Sequence, residues 1–399
     1  MDRLAVTPTR SDFSAVHAAM QRYVDQQILP GVSYAILQGR DVIAAGCVGW
    51  ADREREEPLR TDHVFRVFSN TKLVTSSALL LLMQAGRIGL DDPIERYVPQ
   101  LGNRRVLRPG ATSLDDSEPA EGSITIRHLL SHSSGLSYGL LDPGTLMFKA
   151  YTERQVLHPG KTLPQMMDSL AELPLSFHPG TAWEYSVATD VLGRVVEVVS
   201  GQRLDAFFRE HIFEPLGMVD TMFTLPPEQH HRLVAYYAGA DIKDPMKSGL
   251  TRADQAPYPG AYLQPFASLS GGGGLVSTLS DMVVLVKSVL PDGPTLLKPG
   301  TIAQMMTNQL APGVHIRFPN TGEVRGKGYG LAGAVTLAPS AIDPAGSTGE
   351  LQWGGIAGTH WWIAPRANLA ALVMTQRQMA FWHPFSFEFK LLAHRAVGL

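Results

Sequence analysis

F-R-V-F-S-N-T-K, residues 65–72, is followed by L-V-T-S-S-A-L-L-L-L-M-Q, an apolar run that ends before Gly86. The run reads as one buried helix extending from Ser69 to about Gln84. Ser69 then stands at its start, where unpaired backbone N–H groups and the helix dipole favour a developing negative charge. Lys72 lies one turn on, on the same face and within reach of Ser69. No other lysine in the chain has a serine three residues before it. A rival nucleophile stands in G-L-S-Y-G, residues 135–139, which has the G-x-S-x-G form with Ser137 at its centre. A nucleophile elbow of that type needs a strand running into the serine and a helix leaving it. Here I-T-I-R-H-L-L, with Thr125 as N-cap, predicts a short helix leading in, and Asp142-Pro143-Gly144 breaks any helix leading out. Ser69 is therefore the better candidate, although His132 and His360 offer bases for a triad.

The chain of 399 residues is longer than one apolar core commonly serves, so two lobes or one domain with a large insertion are expected. Hydrophobic content of 44% and charged content of 18% are ordinary for a soluble globular protein. A net charge of -3 without a basic run argues against a nucleic-acid partner. The single cysteine, Cys47, excludes an intrachain disulfide or a cysteine-rich metal cage. The start of the sequence lacks the apolar segment of a secretory signal, and no run is long enough to span a bilayer, so a cytoplasmic location without a membrane span is expected.

Phe13, Val16, Met20 and Val24 recur at helical spacing, and V-S-Y-A-I-L and V-I-A-A-G-C-V flank Q-G-R-D as a hairpin would. Strand character returns in G-Y-G-L-A-G-A-V-T-L, Q-W-G-G-I-A-G-T-H-W-W-I-A and L-A-A-L-V-M-T-Q, before a last helix over 386–397. Strands at both ends of the chain must meet in one antiparallel sheet backed by the two terminal helices. The expected fold is α/β of the α+β type. One domain takes in 1–85 and 180–399, and 86–179, rich in turns and poor in strand signal, forms a mainly helical lobe. G-Y-G-L-A-G, residues 328–333, fits a dinucleotide fingerprint but precedes strand-like residues, so it reads as a strand segment. His230-His231 has no partner motif, and neither metal nor cofactor is expected.

These blocks, taken in order, resemble the serine β-lactamase and penicillin-binding-protein superfamily, in particular class C β-lactamases and family VIII carboxylesterases. The likeness runs through F-R-V-F-S-N-T-K, G-R-I-G-L-D-D-P-I-E-R-Y-V-P, I-R-H-L-L-S-H-S-S-G-L, P-G-T-A-W-E-Y-S-V-A-T-D-V-L-G, E-P-L-G-M-V-D-T and G-G-G-L-V-S-T-L-S-D-M. It implies a β-lactamase-like fold, with Ser69 as nucleophile of an S-x-x-K pair. It also makes Tyr185 the tyrosine of a Y-x-N motif. A phenol with pKa near 10 serves as a base at pH 7 only if its phenolate is stabilised by roughly 4 kcal/mol. A lysine cation about 4 Å away supplies a term of that order at an effective dielectric near 20. Whether Tyr185 or Lys72 takes the Ser69 proton is left open, because the two titrate together.

The resemblance further places Trp353-Gly354-Gly355 where β-lactamases carry Lys-Thr-Gly, and the N–H groups of Ser69 and Ile356 in an oxyanion hole. Tyr138, Trp353, Gly354, Gly355 and Asp190 are the substrate-binding residues it implies, with Asp190 helping to order the site and Tyr138 forming a pocket wall with a hydroxyl that could reach the Ser69 region. Ser137 becomes a bystander. Val187 and Trp353 replace the asparagine and lysine that would engage a β-lactam, which favours neutral small to medium esters. The implied function is a serine carboxylesterase acting on small-molecule esters. The alternatives are an acyltransferase of the statin-acyltransferase type, a weak β-lactamase or D-amino-acid peptidase, and a catalytically silent binding scaffold. Oligomeric state is not legible.

Overall fold

The computed structural model of the chain describes residues 4–319 and 321–399. At its centre is an eight-stranded antiparallel sheet, in the spatial order Lys327–Tyr329, Ala334–Thr336, Leu351–Gly355, Thr359–Ala364, Leu369–Met374, Gly31–Gln38, Asp41–Asp52 and Glu57–Pro58. The N-terminal hairpin joins the C-terminal strands through Gly31–Gln38 and Leu369–Met374, in a register that sets Ser33 opposite Met374 and Ile36 opposite Ala371. This is the closure that strands at both chain ends require.

Leu369–Met374 is buried at every position. Its side chains alternate between two apolar layers, as the period of a strand dictates. Ala371 and Val373 meet the layer formed with the terminal helices Ser14–Asp25 and Pro384–Ala396, which contributes Met20, Phe385 and Phe389. Leu372 and Met374 face the main core, which contains Leu79 and Leu80 of the helix Thr71–Gln84. Both faces are covered, so the strand needs no polar alternate residues.

The helix Thr71–Gln84 buries eleven of its fourteen residues. It packs against Ala188–Ser200, which also receives the short helices Ile126–Leu130 and Leu163–Ala171. We propose that 86–179 is inserted here as a lobe whose side chains join the main core. Beside its helices, this segment holds a small ladder, Arg105–Leu107 against Ser117–Pro119. The stretch 328–333 is also not one strand segment: Lys327–Tyr329 and Ala334–Thr336 pair as a hairpin whose turn runs through Gly330 to Gly333. A Cβ at Gly330 would stand 2.3 Å from the Met305 carbonyl oxygen, so glycine lets the turn press against the helix Pro299–Met305.

The last helix begins at Pro384, and the N-cap is a histidine: Phe385 N–H donates to His383 Nδ1 at 3.2 Å, while His383 Nε2 lies 2.9 Å from the Pro245 carbonyl oxygen. Burial, reinforced by the Arg377 charge, pushes this imidazole down to about 4. A proton on Nδ1 would break the cap. The folded value lies below the ordinary 6.5, so this contribution to stability is present above pH 6.5 and is lost as pH falls toward 4. His383→Asn keeps a cap acceptor that does not titrate. The variant is expected to gain on the wild type by about 3 kcal/mol between pH 7 and pH 4 in denaturant unfolding. A difference between the two that is independent of pH would show that His383 is not held neutral.

Candidate active site

Ser69 is delivered by a strand, a single tight turn and a helix. The strand Val64–Arg66 pairs with Val276–Thr278, and the chain then makes the 3₁₀ turn Phe68–Asn70 before entering Thr71–Gln84. Ser69 thus lies in the turn, just before the helix proper. Phe68 sits in the left-handed region with φ of 42°, a conformation that costs a non-glycine residue about 1–2 kcal/mol. Its ring packs between Tyr236 and Tyr262, at centroid distances of 5.9 and 6.1 Å, and those contacts hold the strained residue in place.

Two proton-bearing groups converge on the Ser69 hydroxyl. Tyr185 O–H donates to Ser69 Oγ at 2.6 Å, and Lys72 Nζ lies 3.3 Å from the same oxygen. Lys72 is only 2% exposed and carries a second bond, to the Gly272 carbonyl oxygen at 2.7 Å. Its ammonium stands over the Tyr185 ring, 4.6 Å from the centroid. There its positive charge meets the negative face of the ring. The three residues can therefore pass protons among themselves without moving far.

The carbonyl that holds Lys72 belongs to S-G-G-G-G, residues 270–274, and close approach demands those glycines. A Cβ on Gly271 would stand 2.7 Å from the Thr189 carbonyl oxygen, and one on Gly272 would stand 2.7 Å from Asp190 Oδ2. Asp190, 1% exposed, accepts from Ser270 Oγ at 2.5 Å and from Gly272 N–H at 3.1 Å. Burial raises its carboxyl above the ordinary aspartate range, against the Ser270 bond and the Lys72 charge. Asp190 touches the segment that holds Lys72 and does not line the cavity.

Trp353, Gly354 and Gly355 lie on the strand Leu351–Gly355, and Ile356 begins the turn after it. A Cβ on Gly355 would stand 2.5 Å from the Val67 carbonyl oxygen and 2.4 Å from Thr359 Oγ1. Only glycine lets this strand lie against the turn that carries Ser69. Trp353 is buried, with its ring 5.4 Å from that of Tyr185 and 5.3 Å from that of Phe381.

Ser137 N–H donates to the Tyr151 hydroxyl at 3.0 Å. It is 3% exposed and is not among the residues lining the cavity. Tyr138 does line the cavity, with its ring 5.7 Å from that of Tyr185. Among the described residues, the side chains hydrogen-bonded to Ser69 Oγ are Tyr185 and Lys72, and Tyr138 is not one of them. Burial, with Asp190 and Tyr185 nearby, raises the Tyr138 phenol well above its ordinary value, which keeps it protonated.

The cavity above Ser69 has a volume of about 480 Å³. Twelve of its lining residues are aromatic and none carries a charge, so a ligand is met by ring faces and edges rather than by ion pairs. Sequence reasoning missed most of this wall. Tyr258, Tyr262 and Phe266 come from P-Y-P-G-A-Y-L-Q-P-F, residues 257–266, and Phe381 and Trp382 from M-A-F-W-H, residues 379–383. The signal was there in aromatics set among loop-forming residues. Among the described residues there is no group of three or more His, Cys, Asp or Glu side chains suited to hold a metal ion, and no helix is long and apolar enough to cross a membrane.

A sheet closed by both chain ends, with a Ser-Lys-Tyr cluster at the start of a buried helix, defines a β-lactamase-like protein. The chain belongs to the beta-lactamase family, whose model matches residues 16–382. It is 31% identical to esterase EstB of Burkholderia gladioli over 381 residues, 91% of each chain. It is 30% identical to acyltransferase calJ of Penicillium decumbens over 399 residues, covering 96% of this chain and 88% of that one. Among solved structures it is similar to EstCE1, described as a hydrolase with promiscuous acyltransferase activity, with a TM-score of 0.78, 27% identity and coverage of 96% and 97%.

Proposed function

We propose that the chain is a carboxylesterase that hydrolyses neutral esters with apolar acyl and alcohol groups through an acyl-enzyme on Ser69. One observation carries the reading: the Ser69 hydroxyl lies within hydrogen-bond reach of both Tyr185 and Lys72 at the wall of a cavity without charge. The similarity to esterase EstB supports it.

In the first half-reaction the Tyr185–Lys72 pair starts one proton short, as phenolate beside ammonium or as phenol beside free amine, and Ser69 Oγ bonds to the ester carbonyl carbon while its proton passes to that pair. The carbonyl oxygen takes up the negative charge against the N–H groups of Ser69 and Ile356. As the tetrahedral carbon collapses, the bond to the alcohol oxygen breaks and the pair returns the proton to that oxygen. Water then attacks the acyl carbon, gives its proton to the same pair, and releases the acid with Ser69 restored. If an alcohol takes the place of water the product is a new ester. The likeness to acyltransferase calJ favours this second outcome as a side reaction, and the ratio of ester to acid formed with added alcohol measures it.

The uncharged lining sets substrate choice. An acid group on the acyl chain would be buried among aromatic rings with no cation to meet it, at a cost of about 2 kcal/mol or more. A p-nitrophenyl butyrate is therefore expected to exceed the matching p-nitrophenyl hemisuccinate by about 30-fold or more in kcat/KM. Equal values for the two would contradict the proposed substrate class.

A further inference from the structure

Tyr185 stands between two backbone amides that are held by a single residue. Glu184 N–H donates to the carbonyl oxygen of His132 at 3.0 Å, and Ser186 N–H donates to the ring Nδ1 of His132 at 3.2 Å. Ser186 Oγ lies 3.1 Å from that same nitrogen. The imidazole itself packs against the Tyr185 ring, with centroids 4.8 Å apart, and meets Tyr329 edge-on at 5.3 Å. One residue thus fixes the chain before Tyr185, the chain after it, and one face of its ring.

The neighbouring links between these segments are main-chain bonds: Gly180 N–H to the Ser133 carbonyl, Ser176 N–H to that of Gly135, and Val187 N–H to that of Ser137. At Ser186 an imidazole nitrogen takes the place of a carbonyl. His132 also has φ of 56°, in the left-handed region that an ordinary residue avoids, and this turns its side chain and carbonyl toward the same stretch of chain. Because an N–H can only donate, Nδ1 carries no proton, and the ring is the neutral tautomer with its proton on Nε2.

Resting on the proposed role of Tyr185, we infer that His132 is a positioning residue: its neutral imidazole and its carbonyl clamp the two amides flanking Tyr185 and hold the phenol against Ser69. The 2.6 Å contact between Tyr185 and Ser69 is the quantity it controls. A displacement of about 1 Å at such a contact can cost about 10²-fold in rate. The titratable groups around the ring are Lys72 from the helix Thr71–Gln84, Tyr185 itself, and Tyr329 from the strand Lys327–Tyr329. Burial and then the Lys72 charge hold the imidazole well below its ordinary range, so acidification to pH 6 leaves the clamp closed.

The test compares His132→Asn, whose amide oxygen replaces Nδ1 as acceptor, with His132→Leu, which keeps bulk and removes the acceptor. With a neutral p-nitrophenyl ester, His132→Leu is expected to lose about 100-fold in kcat with KM within about twofold of wild type. His132→Asn is expected to recover kcat to within about fivefold. Equal loss in both variants, or a wild-type kcat in His132→Leu, overturns the clamp. Nitrogen NMR of the wild-type protein gives an answer even where His132→Leu fails to fold. An unprotonated Nδ1 at pH 6 is expected, and a ring that charges near pH 6.5 overturns the inference. Tyr185→Phe separates the two layers: if it keeps full kcat the proposed role of Tyr185 fails, whereas if it alone is impaired only the clamp fails.

Discussion

Ser69→Ala is expected to lower kcat/KM for a neutral aryl ester by about 10⁴-fold or more, with unfolding unchanged within about 1 kcal/mol. The hydroxyl accepts from Tyr185 and faces Lys72, and its loss leaves both without their shared oxygen. Lys72 keeps the Gly272 carbonyl and the Tyr185 ring face, so the lysine remains seated in the variant. Residual turnover then reflects binding in the cavity and hydrolysis by water, without an acyl-enzyme. Steady-state rates across a substrate series measure the loss. A variant that retains a tenth or more of wild-type activity would remove Ser69 from the chemistry.

Tyr185→Phe is the second large effect: kcat falls by about 10²–10⁴-fold and KM changes little. Phenylalanine keeps the ring between His132, Tyr138 and Trp353, whose centroids lie 4.8, 5.7 and 5.4 Å away. It also keeps the face over which Lys72 stands. Only the phenolic oxygen is removed, and with it the group 2.6 Å from Ser69 Oγ. The measurement also divides the base question. A variant with near-wild-type kcat would mean that Lys72, 3.3 Å from the same oxygen, takes the Ser69 proton unaided. A large loss means that the phenol is on the proton path.

Much of this architecture was legible because the sequence repeats a few physical constraints. The apolar run after Ser69 could only be a buried helix, and the helical spacing of Ser69 and Lys72 carried directly into a 3.3 Å contact. The hairpin at one end of the chain and strands at the other had to share a sheet, and they do so through Gly31–Gln38 and Leu369–Met374. Tyr185 lies 116 residues beyond Ser69, so no local spacing relates them, and only the resemblance of the blocks around it pointed there. The cavity wall was less legible. Tyr258, Tyr262 and Phe266 sit in a loop whose path no periodicity reports, and they reach the site through tertiary packing alone. The turn within 328–333 was misread as strand because Gly330 serves a close approach to the Met305 carbonyl, a partner far enough away along the sequence to leave no local trace. His132 was visible as a possible base. Its hold on the amides of Glu184 and Ser186 depends on a backbone twist that sequence does not announce.

The central claim is that acyl transfer passes through Ser69. Peptide mapping by mass spectrometry after reaction with a fluorophosphonate, or after a quenched p-nitrophenyl ester, tests it most directly. One adduct per chain on the peptide containing Ser69, absent in Ser69→Ala, is the result expected. An adduct on Ser137, or labelling that persists in Ser69→Ala, would contradict it.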